Sequence, residues 1–281
     1  GAGCALLLLL GAELRGAECD AAQSAAARGD VNAALAAEQS CVTRQLQDVA
    51  DAFVTLGRAA TLRGEYDEAI ALYSKAARTD PDSSAAHTYR GQVLALDGKL
   101  EAAVADLTRA INLEPNLATP YALRGQTRVL MGESIAAQAD FGRAISLADP
   151  KTAAPLHATR GQISLELGDT EAALADFTTS LSIDPAQGKV LLGRAGIHAR
   201  EGRYPQAIAD YSGAIELNPE DTDALYKRGK LYEKTGLEHL ALKDFNRVVR
   251  LNPASAKAHV RRGAAWVKPL LPVILVLLLG G

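Results

Sequence analysis

Small and apolar residues recur along this chain with a period of about 34 residues. We number 34 slots from Ala50, so that the same slot can be compared between copies of the pattern. The copies begin at Ala50, Ser84, Ala118, Ala154, Gly188 and Thr222, and a partial copy starts at Ala256. Small or bulky apolar residues in slots 20, 24, 27 and 28 lie three or four apart, which predicts one buried face of a helix.

Glycine and proline predict where the helices of each copy end. Slot 15 is Gly in every copy: Gly64, Gly98, Gly132, Gly168, Gly202 and Gly236. A Gly after about a dozen helix-forming residues predicts that the first helix ends in a left-handed conformation. Pro follows the second stretch in slot 32, or one place later at Pro150, and it cannot continue a helix. Each copy is therefore predicted to be helix, turn, helix, turn, with two extra residues in the turn near 148–153.

Residue size in three slots predicts how the two helices of a copy pack. Slot 8 is Gly except at Ala195, and slot 20 is always Ala, so we expect the helix backbones to approach closely there. Slot 24 supplies a bulky residue: Tyr73, Leu107, Phe141, Phe177, Tyr211 and Phe245. One hairpin cannot bury these faces alone, so neighbouring hairpins must stack into an all-α solenoid.

This set of slots resembles the tetratricopeptide repeat (TPR). The resemblance rests on the small slots 8, 20 and 27, Gly in slot 15, the bulky slot 24 and Pro in slot 32, and it covers six copies over residues 50–255. It implies a right-handed superhelix of antiparallel helix hairpins that binds a protein or peptide and has no enzymatic activity. Slot 4 departs from the usual aromatic residue, with His87, His157 and His259 among its members. Slot 7, usually Leu, is here mostly Arg.

The arginines of slot 7 occur together with aspartates in slot 23. Copies two to six carry Arg90, Arg124, Arg160, Arg194 and Arg228, matched by Asp106, Asp140, Asp176, Asp210 and Asp244. The first copy has Leu56 and Leu72 in the same two slots. Because both charges are present or both are absent, we predict an ion pair between the two helices of each hairpin. The alternative is two separately solvated charges.

The region before Ala50 predicts a degenerate helix hairpin over residues 18–49. Gly29 fits slot 15, and this register places Cys19 near the start of one helix and Cys41 late in the next, where a disulfide can join them. Residues 1–17 contain an apolar run typical of a signal peptide, and a sequence that opens with Gly1 and has its only Met at 131 suggests residues upstream. Export to an oxidising compartment, such as a bacterial periplasm, would agree with the disulfide. Two free thiols in a cytoplasmic protein are the alternative.

The C-terminal sequence predicts a capping helix over residues 256–268 and an apolar tail over 269–281. The tail contains eleven residues from Pro269 to Leu279 with two prolines, fewer than the roughly 20 that a membrane-spanning helix needs. Three interpretations stay open: a truncated anchor, a segment that dips into a membrane, and an apolar strip covering the last hairpin. Membrane contact or membrane association through the tail therefore remains an alternative to export.

Composition and motifs argue against chemistry. The 30 basic and 33 acidic residues give a net charge of −3 without a basic block, so a nucleic-acid-binding surface is not predicted. Zinc-site spacings, a Gly-rich phosphate loop and a nucleophile elbow are absent from the sequence, so we predict no metal, no cofactor and no catalytic residues. The histidines of slot 4 are explained by packing.

The resemblance places the binding surface on the first helices, which form the inner face of a TPR superhelix. The residues that would point there are Arg58, Gln92, Gln126, Gln162, Tyr226 and Lys230. Side-chain amides both donate and accept hydrogen bonds, so the three glutamines could hold an extended peptide or a partner helix. The alternative interpretation of the glutamines is that they are ordinary exposed helix formers. The alternative function is a structural or membrane-tethered assembly component that acts by self-association.

Overall fold

A computed structural model describes residues 17–28 and 30–267 of the chain. These residues form fourteen α-helices and no strand. The helices are α1 (Ala17–Ala27), α2 (Val31–Arg63), α3 (Tyr66–Thr79), α4 (Ser84–Leu96), α5 (Leu100–Leu113), α6 (Ala118–Leu130), α7 (Ser134–Leu147), α8 (Pro150–Glu166), α9 (Thr170–Ile183), α10 (Gly188–Arg200), α11 (Tyr204–Leu217), α12 (Thr222–Lys234), α13 (Glu238–Leu251) and α14 (Ala256–Val267).

The helices are arranged in two compact units, one up to Asp140 and one from Phe141 onwards. We call the described parts of these units the N-terminal unit and the C-terminal unit. In the N-terminal unit α2 packs on α3 and α4 on α5, and α3 and α5 each contact the helix that follows. In the C-terminal unit α8 packs on α9, α10 on α11 and α12 on α13. The predicted all-α fold of stacked helix hairpins is confirmed within each unit.

The glycines of slot 15 end the first helices as predicted. Gly64 has φ of 77°, and its backbone N–H donates to the carbonyl oxygen of Thr61 in the last turn of α2. The other five glycines of this slot have φ between 75° and 84°. A residue with a Cβ would be strained in this conformation, so the turn between the two helices of each copy requires Gly.

Slot 8 explains how closely the helices of a hairpin approach. A Cβ added to Gly57 would lie 2.6 Å from the ring of Tyr73, and one added to Gly229 would lie 2.7 Å from the ring of Phe245. The space at slot 8 is thus filled mainly by the bulky side chain of slot 24 in the same copy. The sequence predicted a close approach of the two backbones at slots 8 and 20, and a Cβ added to Gly91 would lie 3.2 Å from the carbonyl oxygen of Ala103, which occupies slot 20 of the same copy.

The two extra residues of the fourth copy do not lengthen a turn. The sequence placed them in the turn near 148–153, but α8 already begins at Pro150 and spans 17 residues, whereas α4, α6, α10 and α12 span 13. Asp149 precedes the helix, and its side chain accepts hydrogen bonds from the backbone N–H groups of Lys151 and Thr152. An aspartate N-cap followed by Pro strongly favours the start of a helix. The inserted residues are therefore part of α8.

The N-terminal hairpin is joined directly to the first repeat. α1 packs on α2 with Arg28 to Asp30 between them, but α2 continues without a break from Val31 to Arg63. No helix end separates residues 18–49 from residues 50–63, because neither Gly nor Pro interrupts the sequence between Val31 and Leu56. At the other end, α14 occupies the region predicted to cap the array.

None of the described helices is long and apolar enough to cross a membrane. The apolar run in residues 1–12 and the tail over 269–281 lie outside the described residues, so the predictions of a signal peptide and of a membrane-contacting tail stay as predictions.

Candidate partner-binding surface

Five arginine–aspartate pairs hold the first helices against the second helices, as the sequence predicts. In each pair Nε and Nη2 of the arginine donate to the two carboxylate oxygens, at 2.8 and 2.7 Å for Arg160 with Asp176. Four of the aspartates are almost completely buried, with Asp244 only 3% exposed, and Asp106 is partly buried. A planar guanidinium matches a carboxylate in this two-bond geometry, which fixes the orientation of the first helix. In the first copy, Leu72 packs against the core while Leu56 stays partly exposed.

Four of the five arginines also bond to a hydroxyl of the preceding copy, a contact that the sequence analysis missed. Nη1 of Arg90 donates to the hydroxyl of Ser74, that of Arg124 to Thr108, and that of Arg228 to Ser212, at 2.9–3.2 Å. These hydroxyls all occupy slot 25, sixteen residues before the arginine, and Thr178 lies 3.5 Å from Arg194 in the same way. Only Arg160 lacks the contact, because its slot 25 partner is Gly142. A Ser or Thr in one fixed slot was a signal available from the sequence.

Histidines support the same framework. His87 and His259 contact the carbonyl oxygens of Pro81 and Pro253, six residues earlier, at 3.3 and 3.0 Å. His157 follows the lengthened start of α8 and lies 2.7 Å from a carboxylate oxygen of Asp176, while His87 lies 3.5 Å from one of Asp106. These contacts tie slot 4 to the turn or to the buried carboxylate, as expected for a packing role.

Asp106 and His198 belong to this framework, and each has a pKa below its ordinary value. Burial by itself raises the pKa of Asp106, but interactions with Arg90 and His87 more than offset it, so this pKa lies below its ordinary value. Burial, helped by the guanidinium of Arg203, lowers the pKa of His198. Both shifts belong to groups that hold helices together.

The N-terminal unit presents Arg58, Gln92 and Gln126 on the first helices α2, α4 and α6. Arg58 lies over the ring of Tyr89, with 5.4 Å from its guanidinium carbon to the ring centroid, and Tyr89 stacks on Tyr73. Arg58 and Gln126 are exposed and Gln92 is partly exposed. Because α2 contacts α4 and α4 contacts α6, these three side chains lie on neighbouring first helices.

The C-terminal unit holds Gln162, Tyr226 and Lys230. Gln162 is exposed, and its amide donates to Glu166 one turn later, at 3.0 Å. Tyr226 lies at 5.8 Å from the ring of Phe245, and two ammonium groups lie over its face, Lys257 at 4.9 Å and Lys230 at 6.0 Å. Tyr226 and Lys230 therefore lie together in one cluster, and Gln162 lies on α8.

Slot 13, at the end of each first helix, carries surface features that the sequence analysis missed. In the N-terminal unit it holds Leu62, Leu96 and Leu130, which are 90%, 56% and 66% exposed. In the C-terminal unit it holds Glu166, Arg200 and Lys234. The 34-residue spacing of the three leucines is visible in the same alignment of copies.

An open cavity of about 650 Å³ lies in the C-terminal unit, where α10, α11 and α12 meet next to Leu165 of α8. Its floor includes Leu192 and Leu231, and its rim includes Arg200, Lys230 and Lys234. The ammonium group of Lys234 lies 5.3 Å from the centroid of the Tyr204 ring. Such a volume is within the range of small-ligand or peptide side-chain sites.

Cys19 and Cys41 lie side by side at the N-terminal end of the array. Their Cα atoms are 5.0 Å apart, which is within the range of a disulfide. Gln45 lies next to them, with its amide nitrogen 3.8 Å from the sulfur of Cys19. Among the described residues, no group of His, Cys, Asp and Glu is arranged to hold a metal ion.

Comparisons with known proteins agree with this architecture. A family model described as "TPR repeat" matches residues 57–98 and 195–236, and one described as "Tetratricopeptide repeat" matches residues 154–187 and 222–255. No curated protein matches the chain in sequence.

Solved structures share the fold at low sequence identity. PilF of Pseudomonas aeruginosa has a TM-score of 0.64 and 19% identity, over 80% of this chain and 99% of that one. YrrB, described as a TPR protein with an unusual peptide-binding site, has a TM-score of 0.60 and 20% identity, over 68% and 97%. PilW, described as a widely conserved type IV pilus biogenesis factor, has a TM-score of 0.59 and 19% identity, over 75% and 97%. With its 34-residue period, left-handed glycines and paired helices, the chain is a tetratricopeptide repeat protein, a member of a family of protein-interaction modules.

Proposed function

We propose that this protein is a non-enzymatic scaffold that binds an extended segment of a partner protein on the surface formed by its first helices. The observation that carries the proposal is that polar side chains on this surface are not used by the fold. Within residues 17–28 and 30–267, the side-chain amides of Gln92 and Gln126 have no hydrogen-bond partner. The slot 7 arginines of the same two copies, in contrast, are bonded to aspartates. The peptide-binding site described for YrrB, on a similar fold, supports this class of function.

The chemistry of the surface suits a peptide backbone. A glutamine amide donates and accepts at once, so Gln92 and Gln126 can each bond to a carbonyl oxygen and an N–H of an extended chain. Arg58 and Lys230 supply cations near aromatic rings. The first helices are held rigid by buried ion pairs, so little ordering is needed when the partner binds.

The experiment is affinity capture from an extract of the native host with wild type and a Gln92→Glu, Gln126→Glu, Gln162→Glu variant. A matched control changes three other exposed glutamines to Glu: Gln39 and Gln47, in the part of α2 that precedes the first copy, and Gln206 of α11. We expect one protein to be retained by wild type and control and lost by the first variant. Equal retention by all three proteins would reject the first-helix surface as the binding site.

Self-association is a second candidate, favoured by the three exposed leucines of slot 13. A row of solvent-exposed leucines in the N-terminal unit is an unusual apolar feature for a protein surface. A second copy of the chain could cover it, which would make the protein a structural component. Sedimentation at rising concentration tests this candidate directly.

We further propose that Cys19 and Cys41 form a disulfide in the native protein and that the chain works in an oxidising compartment. The separation of their Cα atoms supports the bond, and a bridge between α1 and α2 would hold the first hairpin on the array. Alkylation of the native protein with and without prior reduction is the test. If both thiols are alkylated without reduction, the bridge and the argument for export fail together.

A further inference from the structure

We infer that the cavity of the C-terminal unit binds an acidic segment of the partner, one with carboxylates at alternate positions of an extended chain. The inference rests on the proposed function and names the chemistry of one binding site within it. Three observations carry it: the cations of the rim have no carboxylate partner, a glycine leaves the cavity open, and the spacing of the cations fits an extended acidic peptide.

Five cations on the first helices of the C-terminal unit have a carboxylate partner. Arg160, Arg194 and Arg228 have buried aspartates, and Lys227 lies 2.5 Å from Asp223. Arg261 reaches Glu233 at 3.1 Å.

Arg200, Lys230 and Lys234 differ from these cations, because among the described residues they have no carboxylate within ion-pair distance. Lys230 and Lys234 have only the faces of Tyr226 and Tyr204 as partners. None of the residues that line the cavity is acidic, and Glu166 next to Leu165 accepts a hydrogen bond from Gln162. Three cations around one apolar floor repel each other, and a carboxylate would relieve that repulsion.

Gly196 opens the cavity. Other copies carry Arg, Gln or Lys in slot 9, and Gly196 is the one that carries no side chain. Its backbone does not need glycine, since its φ is not positive and a Cβ added there would meet nothing within 4 Å. Glycine inside a helix costs roughly 0.5–1 kcal/mol relative to Ala. The residue therefore lowers the stability of α10 without any packing reason, and its effect is to leave space between the cations.

The spacing of the cations fits an extended acidic chain. Lys230 and Lys234 are one helical turn apart, about 6 Å along α12. Alternate residues of an extended peptide are about 7 Å apart and point to the same side. Two carboxylates at such positions can therefore contact both lysines, and the residue between them faces away. Tyr211 also lines the cavity, and its hydroxyl can donate a hydrogen bond.

The test uses fluorescence anisotropy with the full chain and two labelled peptides, one of alternating Glu and Thr and one of alternating Gln and Thr. We expect the Glu peptide to bind and to weaken at about 0.5 M salt, where charges are screened within a few ångströms. Binding should weaken at least about tenfold in Arg200→Gln, Lys230→Gln, Lys234→Gln, which removes three charge-assisted contacts.

Two further variants separate charge from shape. The Gly196→Gln variant fills the cavity with the side chain found in slot 9 of other copies, and it raises helix propensity, so lost binding would not reflect unfolding. The control Lys243→Gln, Arg247→Gln, Arg250→Gln removes the same charge from α13, away from the cavity, and should bind like wild type. Circular dichroism confirms that each variant is folded.

Three results would overturn the inference: equal binding of the Gln peptide, unchanged binding by the Gly196→Gln variant, or tighter binding of a single-stranded oligonucleotide of equal charge. If the host partner is captured through the glutamine surface and the Glu peptide does not bind, the acidic site fails and the proposed function stands.

Discussion

The two units use the same internal contacts but have different surfaces on their first helices. Both have left-handed glycines in slot 15, alanines in slot 20 and buried Arg–Asp pairs. In slot 13, however, the N-terminal unit exposes Leu62, Leu96 and Leu130, whereas the C-terminal unit has Glu166, Arg200 and Lys234. Packing fixes the slots inside the hairpins, while slots on the surface are free to differ. Functional differences are therefore expected in the slots where the copies disagree.

The ion pairs give the largest predicted effect, and they sharpen the contrast between charged copies and the apolar first copy. We expect Asp176→Ala to cost about 3–5 kcal/mol, because it leaves Arg160 without its buried partner. The double change Arg160→Leu, Asp176→Leu reproduces the leucine pair of the first copy and should cost much less. Urea unfolding followed by circular dichroism measures both. A double variant clearly less stable than Asp176→Ala would contradict the pairing.

Gly142 gives the next largest effect, because it marks the one arginine without a hydroxyl partner. A Cβ at Gly142 would lie 3.5 Å from Nη1 of Arg160, so Gly142→Ser places a hydroxyl where other copies have one. We expect the Gly142→Ser variant to have a free energy of unfolding about 1 kcal/mol higher than that of Gly142→Ala. The reason is that a hydrogen bond from a charged donor outweighs the better helix propensity of Ala. Ser212→Ala, which removes an existing contact, is the matched control and should destabilise. An Ala variant as stable as the Ser variant would refute the role of the hydroxyl.

Exchanging the surface of slot 13 should change association and leave stability almost unaltered. We expect Leu62→Gln, Leu96→Gln, Leu130→Gln to lower the binding of an apolar dye, with a stability change within about 0.5 kcal/mol per site. Glu166→Gln, Arg200→Gln, Lys234→Gln is the matched change in the C-terminal unit and should leave dye binding unaltered. Sedimentation of both variants decides the self-association candidate. If the protein is monomeric with or without the leucines, self-association through this row is excluded.

The smallest predicted effect is a pH dependence confined to the C-terminal unit. His198 has a pKa below its ordinary value because it is buried, so its stabilising contribution is complete above about pH 6.5. That contribution is lost as the pH falls through the lower pKa of the folded state. We expect the stability difference between wild type and His198→Asn to shrink from pH 7.5 to lower pH, whereas His239→Asn, an exposed change, serves as control. A stability difference between wild type and His198→Asn that stays constant over this pH range would refute the predicted role of His198.

Features that depend on a constant residue in one slot could be predicted from the sequence. Gly64 and its equivalents fix the helix ends, and the joint presence of Arg and Asp in slots 7 and 23 gives the ion pairs. Features that depend on several residue types were missed. Slot 25 alternates between Ser and Thr, and slot 13 changes character between units, so neither looks constant. The start of α8 was wrongly placed, because Asp149 and Pro150 favour a new helix more strongly than the length of the insertion suggests.

Of the predicted surface residues, the structure brings Tyr226 and Lys230 together and places Arg58, Gln92 and Gln126 on neighbouring helices. The amide of Gln162 donates a hydrogen bond to Glu166. The cavity could not be predicted, because it is created by a missing side chain at Gly196 together with residues from four helices. A volume that depends on several elements has no signature in a linear pattern.

The bond from a slot 7 arginine to the hydroxyl of the previous copy, present for four of the five arginines, has a consequence for how the number of repeats can increase. The two halves of this joint, the arginine and the hydroxyl, lie in the same copy at slots 7 and 25, each facing a different neighbour. A gene duplication that adds one copy therefore adds both the arginine and the hydroxyl that bond it to its neighbours. The array can be lengthened without any new interface, and its surface slots are then available for new partners.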